Sequence, residues 1–166
     1  MGRVVACHDE GVTGYGPESY GEAFADVYDQ WYEDISDIHA CTTAVSELAQ
    51  GGRVLELGVG TGRLAVPLAS LGLDVVGVDA SPAMLERLAA RDPQGQIKAT
   101  LMDMSSDLPP GPFDVVFAAY NTLFNLTTPQ AQLRCLRLVR DRLAPTGHFV
   151  VEAFVPGAGG QDRGVE

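Results

Sequence analysis

A loop of three evenly spaced glycines constrains the fold of this chain more than any other feature. In the segment RVLELGVGTGRL, residues 53–64, an apolar run ends in Gly58, Gly60 and Gly62, and a helical pattern then begins. Glycine permits positive φ and lets a ligand lie directly against the backbone, while the first turn of a helix offers free N–H groups. We therefore expect a strand, a tight loop and a helix that together hold a nucleotide-like molecule.

Apolar runs typical of strands recur along the rest of the chain. The runs are RVLELG from residue 53, DVVGVD from 74, QIKATLMD from 96, FDVVFAAY from 113 and HFVVEAFV from 148. Helical patterns separate most of them, and near-continuous apolar strands are typical of a parallel sheet covered on both faces. The sequence thus predicts the α/β class, with a doubly wound, Rossmann-like parallel sheet of about five strands. Such sheets bind ligands at the carboxyl ends of their strands.

Helices are predicted before the first strand and between later strands. Apolar residues three or four apart indicate two N-terminal helices. They are Tyr20, Phe24, Val27 and Trp31 in the first helix, and Ile38, Cys41, Val45 and Leu48 in the second. Serine or threonine followed by proline is a start signal for two later helices. These begin at Ser81-Pro82 and Thr128-Pro129 and run to about Arg91 and Leu143.

Composition and charge limit the domain count and the partners. The chain has 166 residues, of which 46% are hydrophobic, and this suits one domain with its own core. We expect a flexible arm over 1–17, the domain over 18–156 and a flexible tail over 157–166. The formal net charge of −11 disfavours nucleic acid and anionic membranes as partners. Four arginines within 134–142 have helical spacing and are interpreted as a solvated helix face.

Three scattered cysteines, Cys7, Cys41 and Cys135, have no partners at metal-ligand spacing. We therefore expect neither a disulfide framework nor a metal site. Residues 1–10 lack an apolar core of signal-peptide length, and no later stretch has the length of a membrane span. The sequence predicts a cytoplasmic protein with no membrane partner.

Two ligand classes compete for the glycine loop. Asp79 ends the second predicted strand, where a carboxylate can accept hydrogen bonds from a ribose diol. A dinucleotide-binding loop has the spacing G-x-G-x-x-G, but here Arg63 stands where the third glycine would be. Glu56 lies just before the first glycine, and its charge opposes a pyrophosphate and favours an ammonium or sulfonium group. A nicotinamide-dependent oxidoreductase is disfavoured but stays an alternative.

Two segments, LELGVGTG and VVGVDASPAML, in this order and at this spacing, closely resemble the class I S-adenosylmethionine-dependent methyltransferases. The resemblance runs from roughly Tyr20 to Phe154. Among these enzymes the chain is most similar to those that act on small molecules, including sugar-amine N-methyltransferases, which also begin with a helix of the YDQWY kind. The resemblance implies S-adenosylmethionine as the cofactor and N- or O-methylation of a small-molecule acceptor.

The resemblance also implies roles for residues that follow the strands. The methionine part of the cofactor would lie on the glycine loop, and Asp79 would hold the ribose hydroxyls. The implied cofactor-binding residues are Tyr28, Glu56, Gly58, Gly60, Gly62, Asp79, Ala80, Met84, Met102, Asp103, Met104, Ala119 and Tyr120. The segment YNTLFNL would line the acceptor side, and the implied substrate-binding residues are Trp31, Tyr32, Asn121 and Phe124.

Each of these residues also has a purely structural interpretation. The methionines can be core residues, Gly60 and Gly62 can form a tight turn, and Asp79 can cap a helix. The aromatic residues of the first helix can simply pack on the sheet. The functional interpretation is favoured because all these residues fall at strand ends on one side of the fold.

No side chain in the sequence is a convincing general base. His148 is predicted to begin the fifth strand, at the end of the sheet opposite the site. His39, at the start of the second helix, is a weak catalytic candidate that could reach the site, although an exposed or capping role is favoured. Asn121 and Glu152 are the other weak catalytic candidates, for orienting the acceptor. A base matters for a hydroxyl acceptor and much less for a neutral amine.

One part of the family fold has no counterpart in the predicted strands. The family's sheet has seven strands, and its last two form an antiparallel hairpin beside the fifth, whereas VPGAGGQDRGVE after Phe154 contains no further apolar run. HFVVEAFV would then be a long apolar edge, which proteins normally cover. Three explanations stay open: a fragment of a longer enzyme, self-association through the open sheet edge, or a reduced, noncatalytic cofactor-binding or interaction module. We expect the isolated chain to be marginally stable or to self-associate.

Overall fold

Helices and strands alternate along the chain as predicted. The structure, a computed structural model, describes residues 16–24 and 37–153. The helices are α1 (Ser19–Phe24), α2 (Ile38–Ala49), α3 (Ala65–Ser70), α4 (Pro82–Arg91) and α5 (Pro129–Arg142). The strands are β1 (Arg53–Leu57), β2 (Asp74–Asp79), β3 (Lys98–Leu101), β4 (Phe113–Ala118) and β5 (Leu143–Val151). A 3₁₀ helix, Thr122–Asn125, follows β4.

The five strands form one sheet in the order β3-β2-β1-β4-β5, and every neighbouring pair is parallel. The chain first moves outward from β1 to β3 and then returns to the other side of β1 with β4 and β5. This order confirms the predicted doubly wound sheet. Because the order reverses between β1 and β4, a ligand-binding crevice is expected beyond the carboxyl ends of these strands.

Two apolar clusters cover the two faces of the sheet. Pleating alternates the side chains of each strand, so Val54 and Leu55 of β1 belong to opposite clusters. Leu68 of α3 and Leu88 of α4 pack in the first cluster, and Cys135 of α5 packs in the second. Because both faces are buried, the central strands need apolar residues on both sides, which explains the near-continuous apolar runs in the sequence.

The Ser-Pro and Thr-Pro signals start α4 and α5 as predicted. The Ser81 hydroxyl accepts a hydrogen bond from the Met84 amide at 3.2 Å. The Thr128 hydroxyl accepts one from the Ala131 amide, also at 3.2 Å. Each bond satisfies an N–H group that the first turn of a helix otherwise leaves without a partner.

The fifth strand differs from its prediction at its start. β5 begins at Leu143, directly after α5, rather than at His148. Phe113 pairs with Leu143 and Val115 pairs with His148, and an irregularity in the ladder takes up the residues between them. The letters APTG favour a turn locally, but pairing with β4 holds them in the strand. His148 therefore lies inside β5, still away from its carboxyl end.

The third and fourth strands are shorter than predicted. β3 is exposed along its length and lies at one edge of the sheet. β4 ends at Ala118 because the backbone turns soon afterwards: Tyr120 and Asn121 have positive φ of 51° and 62°. Neither residue can continue an extended strand in that conformation.

Two kinds of feature are absent from the part of the chain that the structure describes. No helix there is long and apolar enough to cross a membrane, and no group of His, Cys, Asp and Glu could hold a metal ion.

Cys41 and Cys135 are free thiols, and burial raises the pKa of each to about 11. Cys7 lies outside the described residues, as do most of the predicted arm and the whole predicted tail, so those boundaries stay predictions.

Candidate functional site

An open cleft lies beyond the carboxyl ends of β1, β2 and β3. It lies between the glycine loop, the start of α4, the segment after β3 and the 3₁₀ helix. Eight predicted cofactor-binding residues line it: Gly58, Gly60, Asp79, Ala80, Met84, Met102, Asp103 and Met104.

The three loop glycines all have positive φ but make different contacts. Their φ angles are 68° at Gly58, 53° at Gly60 and 80° at Gly62. A Cβ on Gly58 would overlap the side chain of Thr122, and a Cβ on Gly62 would overlap Leu88. A Cβ on Gly60 would meet no side chain, and Gly60 lines the cleft. Gly62 does not line the cleft and has a packing role.

Asp79 presents a fixed carboxylate at the end of β2. Its Oδ2 accepts a hydrogen bond from the Gly60 amide at 2.8 Å, and its Oδ1 accepts one from the Ser81 amide at 2.9 Å. Each carboxylate oxygen can accept a further hydrogen bond. Burial raises the pKa of this carboxyl. The geometry suits a diol that donates to both oxygens, as predicted for a ribose.

Glu56 is a buried acid behind the glycine loop. Only 4% of the residue is exposed, and it does not line the cleft. The Ala65 amide donates a hydrogen bond to its carboxylate, but Oε2 has no hydrogen-bond partner among the described residues. Burial, and then the nearby charge of Asp79, raise the pKa of Glu56 well above its usual value. A positive charge nearby would relieve this unfavourable burial.

The residues after β2 and β3 are both core and cleft wall. Met84 and Met104 are 3% and 9% exposed, and both line the cleft; Met104 also packs in the second apolar cluster. The structural interpretation therefore applies to both, and their contact with a cofactor stays a prediction. Asp103 accepts hydrogen bonds from the Ser105 amide at 2.8 Å and the Ser105 hydroxyl at 3.0 Å, so its carboxylate also shapes the loop after β3.

The segment after β4 lies beside the cleft and contacts the end of β5. Ala119, Tyr120 and Asn121 do not line the cleft. The Tyr120 amide donates to Glu152 Oε2 at 3.3 Å, and the Asn121 amide donates to the Glu152 carbonyl at 3.2 Å. The guanidinium of Arg63 lies 5.0 Å from the centre of the Tyr120 ring. Two consecutive non-glycine residues with positive φ mark a strained turn of the kind that clusters at functional sites.

The remaining predicted residues are not brought into the cleft by the described structure. His39 is exposed on α2, and Phe124 is 53% exposed on the 3₁₀ helix. Neither lines the cleft. Tyr28, Trp31 and Tyr32 lie outside the described residues, so their predicted roles stay predictions.

The sequence did not identify the residues through which α1 forms a wall of the cleft. Pro17, Tyr20 and Gly21 line the cleft, whereas the sequence predicts Pro17 in the arm and Tyr20 on the apolar face of the first helix, and the resemblance implies Tyr28 as the cofactor-binding residue of that helix. Gly21 inside a helix carries an unfavourable propensity, and this was the available signal of a close contact. Thr122 and Asn125 also line the cleft, next to the acceptor side that the sequence predicted for their segment.

Comparisons with known proteins agree on a family. The sequence profile of a family described as "Methyltransferase domain" matches residues 54–147. The cypemycin N-terminal methyltransferase of a Streptomyces species is 30% identical over 155 residues, which cover 90% of this chain and 63% of that protein. The CcbJ methyltransferase from Streptomyces caelestis matches with a TM-score of 0.77 and 41% identity, over 82% of this chain and 58% of that one. DhpI in a complex with SAH matches with a TM-score of 0.63 and 27% identity, over 80% and 65%.

The family match includes the glycine loop, Asp79 and the cleft wall after β3. It covers more than half of the chain. The chain spans less than two thirds of the length of each of the three proteins compared. The chain therefore belongs to the methyltransferase domain family of the class I S-adenosylmethionine-dependent enzymes.

Proposed function

We propose that this chain carries the cofactor site of an enzyme that binds S-adenosylmethionine in the cleft and methylates a small molecule. The observation that carries the proposal is the Asp79 carboxylate, which two backbone N–H groups hold beside a glycine loop. Family membership supports methyl transfer over the nicotinamide-dependent alternative. Because the chain spans only part of its relatives, the activity is proposed for the whole protein.

The residues present fit this cofactor. Gly60 leaves free space at the cleft floor, where a side chain would stand in the way of a ligand. Asp79 offers two oxygens to a ribose diol. Glu56 has a buried oxygen without a hydrogen-bond partner in the described structure, and a cationic ligand suits such a group better than a pyrophosphate does.

The chain's own part in the reaction is to bind, orient and exclude water. Bound S-adenosylmethionine supplies a methyl group on a positively charged sulfur, which an aligned acceptor can take by in-line displacement. Glu56 and Asp79 hold the cofactor side of the cleft at negative potential once both are ionised. Because burial raises the pKa of both carboxyls, a cation that binds here also favours release of a proton from them.

We favour an amine over a hydroxyl as the acceptor. A neutral amine needs no general base, and neither His39 nor His148 lines the cleft. Glu152 lies against the strained turn at Tyr120, where its carboxylate could orient an amine. The 30%-identical cypemycin enzyme is named for methylation of an N-terminus. The net charge of −11 favours a small molecule over nucleic acid.

A cytoplasmic setting is part of this proposal. The two described cysteines, Cys41 and Cys135, are free thiols, as is usual in a reducing compartment. Fractionation of the native host, with detection of this chain in the cytoplasmic or the exported fraction, tests the setting.

Calorimetric titration of the chain with S-adenosylhomocysteine tests the cofactor site, with NAD as the competing ligand. We expect micromolar binding of S-adenosylhomocysteine alone. Asp79→Ala should abolish it, because the ribose loses both acceptors, and Asp79→Asn should weaken it while keeping an oxygen for one backbone N–H group. Glu86→Ala, an exposed carboxylate of α4, is the control for loss of charge and should bind normally.

Two results would contradict the proposal. NAD binding with no binding of S-adenosylhomocysteine would favour the oxidoreductase alternative. Binding of neither ligand by a folded chain would favour the noncatalytic interaction module. Incubation of the whole protein with labelled S-adenosylmethionine and panels of amines and alcohols then distinguishes N- from O-methylation.

A further inference from the structure

Helix α1 forms one wall of the cleft although it lies outside the sheet. Pro17, Tyr20 and Gly21 line the cleft together with Asp79 and the start of α4. Among the described residues, α1 contacts the first turn of α4.

Gly21 permits the close approach of the two helices. A Cβ at this position would overlap the Cβ of Ser81 and would lie 3.1 Å from Cγ of Met84. The Ser81 Cβ is tied to the backbone and cannot move aside as a flexible side-chain end can. Any larger residue at Gly21 must therefore lift α1 away from α4, and with it the cleft wall.

Glu22 completes the hydrogen bonds at the start of α4. Its Oε1 accepts from the Ser81 hydroxyl at 2.8 Å and from the Ala83 amide at 3.3 Å. The Ser81 oxygen accepts in turn from the Met84 amide, and Pro82 has no N–H group to satisfy. The backbone N–H groups of this first turn therefore donate to two side chains, that of Ser81 and that of Glu22. A carboxylate here also interacts favourably with the positive end of the helix dipole.

The same serine orients the carboxylate that faces the cofactor. The Ser81 amide donates to Asp79 Oδ1 at 2.9 Å, while the Ser81 hydroxyl donates to Glu22. A chain of direct contacts therefore leads from α1 through one residue to the group that is proposed to hold the ribose. Displacement of α1 affects both the cleft wall and the support of Asp79.

We propose that Glu22 is a positioning residue: it docks α1 on the first turn of α4 and so closes the cleft over the adenosine part of the bound cofactor. This inference rests on the proposed function. Glu22 acts through Ser81 and the placement of Tyr20, and it does not line the cleft itself. A clamp of this kind slows escape of the ligand more than it speeds entry.

The test compares Glu22→Ala and Glu22→Gln with the control Glu18→Ala, in the full chain. Glu18 lies just before α1 on the same segment and is exposed, so its loss changes the net charge equally. Stopped-flow or surface-binding kinetics with S-adenosylhomocysteine give both rate constants. We expect Glu22→Ala to raise the dissociation rate about tenfold, with little change in the association rate, because a hydrogen-bonded carboxylate is lost. Glutamine keeps the acceptor oxygen, so Glu22→Gln should recover part of the effect.

Amide hydrogen exchange gives a second readout that needs no ligand. In the cofactor-free chain, the Ala83 amide should exchange faster in Glu22→Ala than in Glu18→Ala, whereas amides of the central strands should be unchanged. Gly21→Ala should have the same effect on exchange and dissociation, since it lifts α1 by overlap rather than by lost hydrogen bonds. Gly16→Ala is its control, because a Cβ there meets only the flexible side chain of Glu18.

The outcomes separate this inference from the proposed function. If the unsubstituted chain binds S-adenosylhomocysteine and the Glu22 variants dissociate at the rate of the Glu18 control, the clamp is wrong and the cofactor site stands. If Glu22→Ala slows association alone, or lowers protection throughout the sheet, the residue is merely structural and the clamp is again wrong. If the unsubstituted chain does not bind, the proposed function fails and the clamp fails with it.

Discussion

Gly60 and Gly62 are both glycines with positive φ, yet we expect a substitution at Gly60 to affect cofactor binding and one at Gly62 to affect stability. Gly60→Ala should keep the fold and abolish binding of S-adenosylhomocysteine, because its methyl group enters the cleft floor. Gly62→Ala should mainly destabilise, because Leu88 must also move; such overpacking costs about 1–3 kcal/mol. Gly72→Ala is the control for positive φ alone, since nothing lies near its Cβ, and should cost about 1–2 kcal/mol. Thermal unfolding and calorimetric titration measure the two properties. Equal unfolding temperatures for the Gly62 and Gly72 variants would contradict this assignment.

The buried carboxyl of Glu56 should make stability depend on pH. Its pKa is raised, so the folded chain holds the proton more tightly than the unfolded chain. That contribution to stability is present below the ordinary value of 4.5 and is lost as the pH rises through the raised pKa. Asp79 acts in the same direction. Asp74, whose pKa is lowered mainly by the hydrogen bond from Lys98, has the opposite sign: its contribution to stability is present above the ordinary value of 3.8 and is lost as the pH falls below that value.

In the Glu56→Gln variant, the free energy of unfolding should therefore decrease less steeply as the pH rises through neutral values. Urea unfolding in a pH series from about 5 to 8 measures this slope. Glu86→Gln, on the exposed face of α4, is the matched control and should keep the slope of the unsubstituted chain. A Glu56→Gln slope equal to that of the control would show that Glu56 is ionised in the folded chain without a cofactor.

At the scale of elements, α4 and α5 begin with the same kind of cap but should differ in the stability that the cap contributes. Thr128→Ala removes one capping bond and should cost about 1 kcal/mol, which corresponds to about 2–4 °C in the unfolding temperature of a domain of this size. Ser81→Ala removes the capping bond and also the bond to Glu22, so it should cost more. Differential scanning calorimetry of the two variants gives the comparison. A larger loss for Thr128→Ala would contradict the contact between α1 and α4.

Local signals predicted those parts of the fold that local interactions decide. The Ser-Pro and Thr-Pro helix starts, the glycine loop and Asp79 at a strand end are each set by neighbouring residues, and the structure contains all of them. The start of β5 and the packing of Gly21 on Ser81 depend on residues far away in the sequence. No local pattern contains that information, so the strand start was wrong and the α1 residues of the cleft wall were missed.

At the scale of the whole molecule, the strand order leaves β3 and β5 at the two edges of the sheet. β3 is four residues long and carries Lys98, both features that protect an edge from pairing. β5 is nine residues long, pairs with β4 on one side, and has no other strand beside it among the described residues. Its apolar residues Phe149 and Val150 are only partly buried. The predicted self-association therefore has one favoured surface, the β5 edge.

Sedimentation of the isolated chain over a range of concentrations tests this edge. We expect dimers or larger species, and Val151→Lys should shift them towards monomer, because a charge on an edge strand opposes pairing. Val151 is 39% exposed, and Leu101 on β3 is 55% exposed, so Leu101→Lys is a matched control at the opposite edge. A response to the Leu101 substitution alone would place association at β3. A stable monomer at all concentrations would mean that the side chains of β5 already protect its edge, and the apolar pattern would then be explained by packing within the chain.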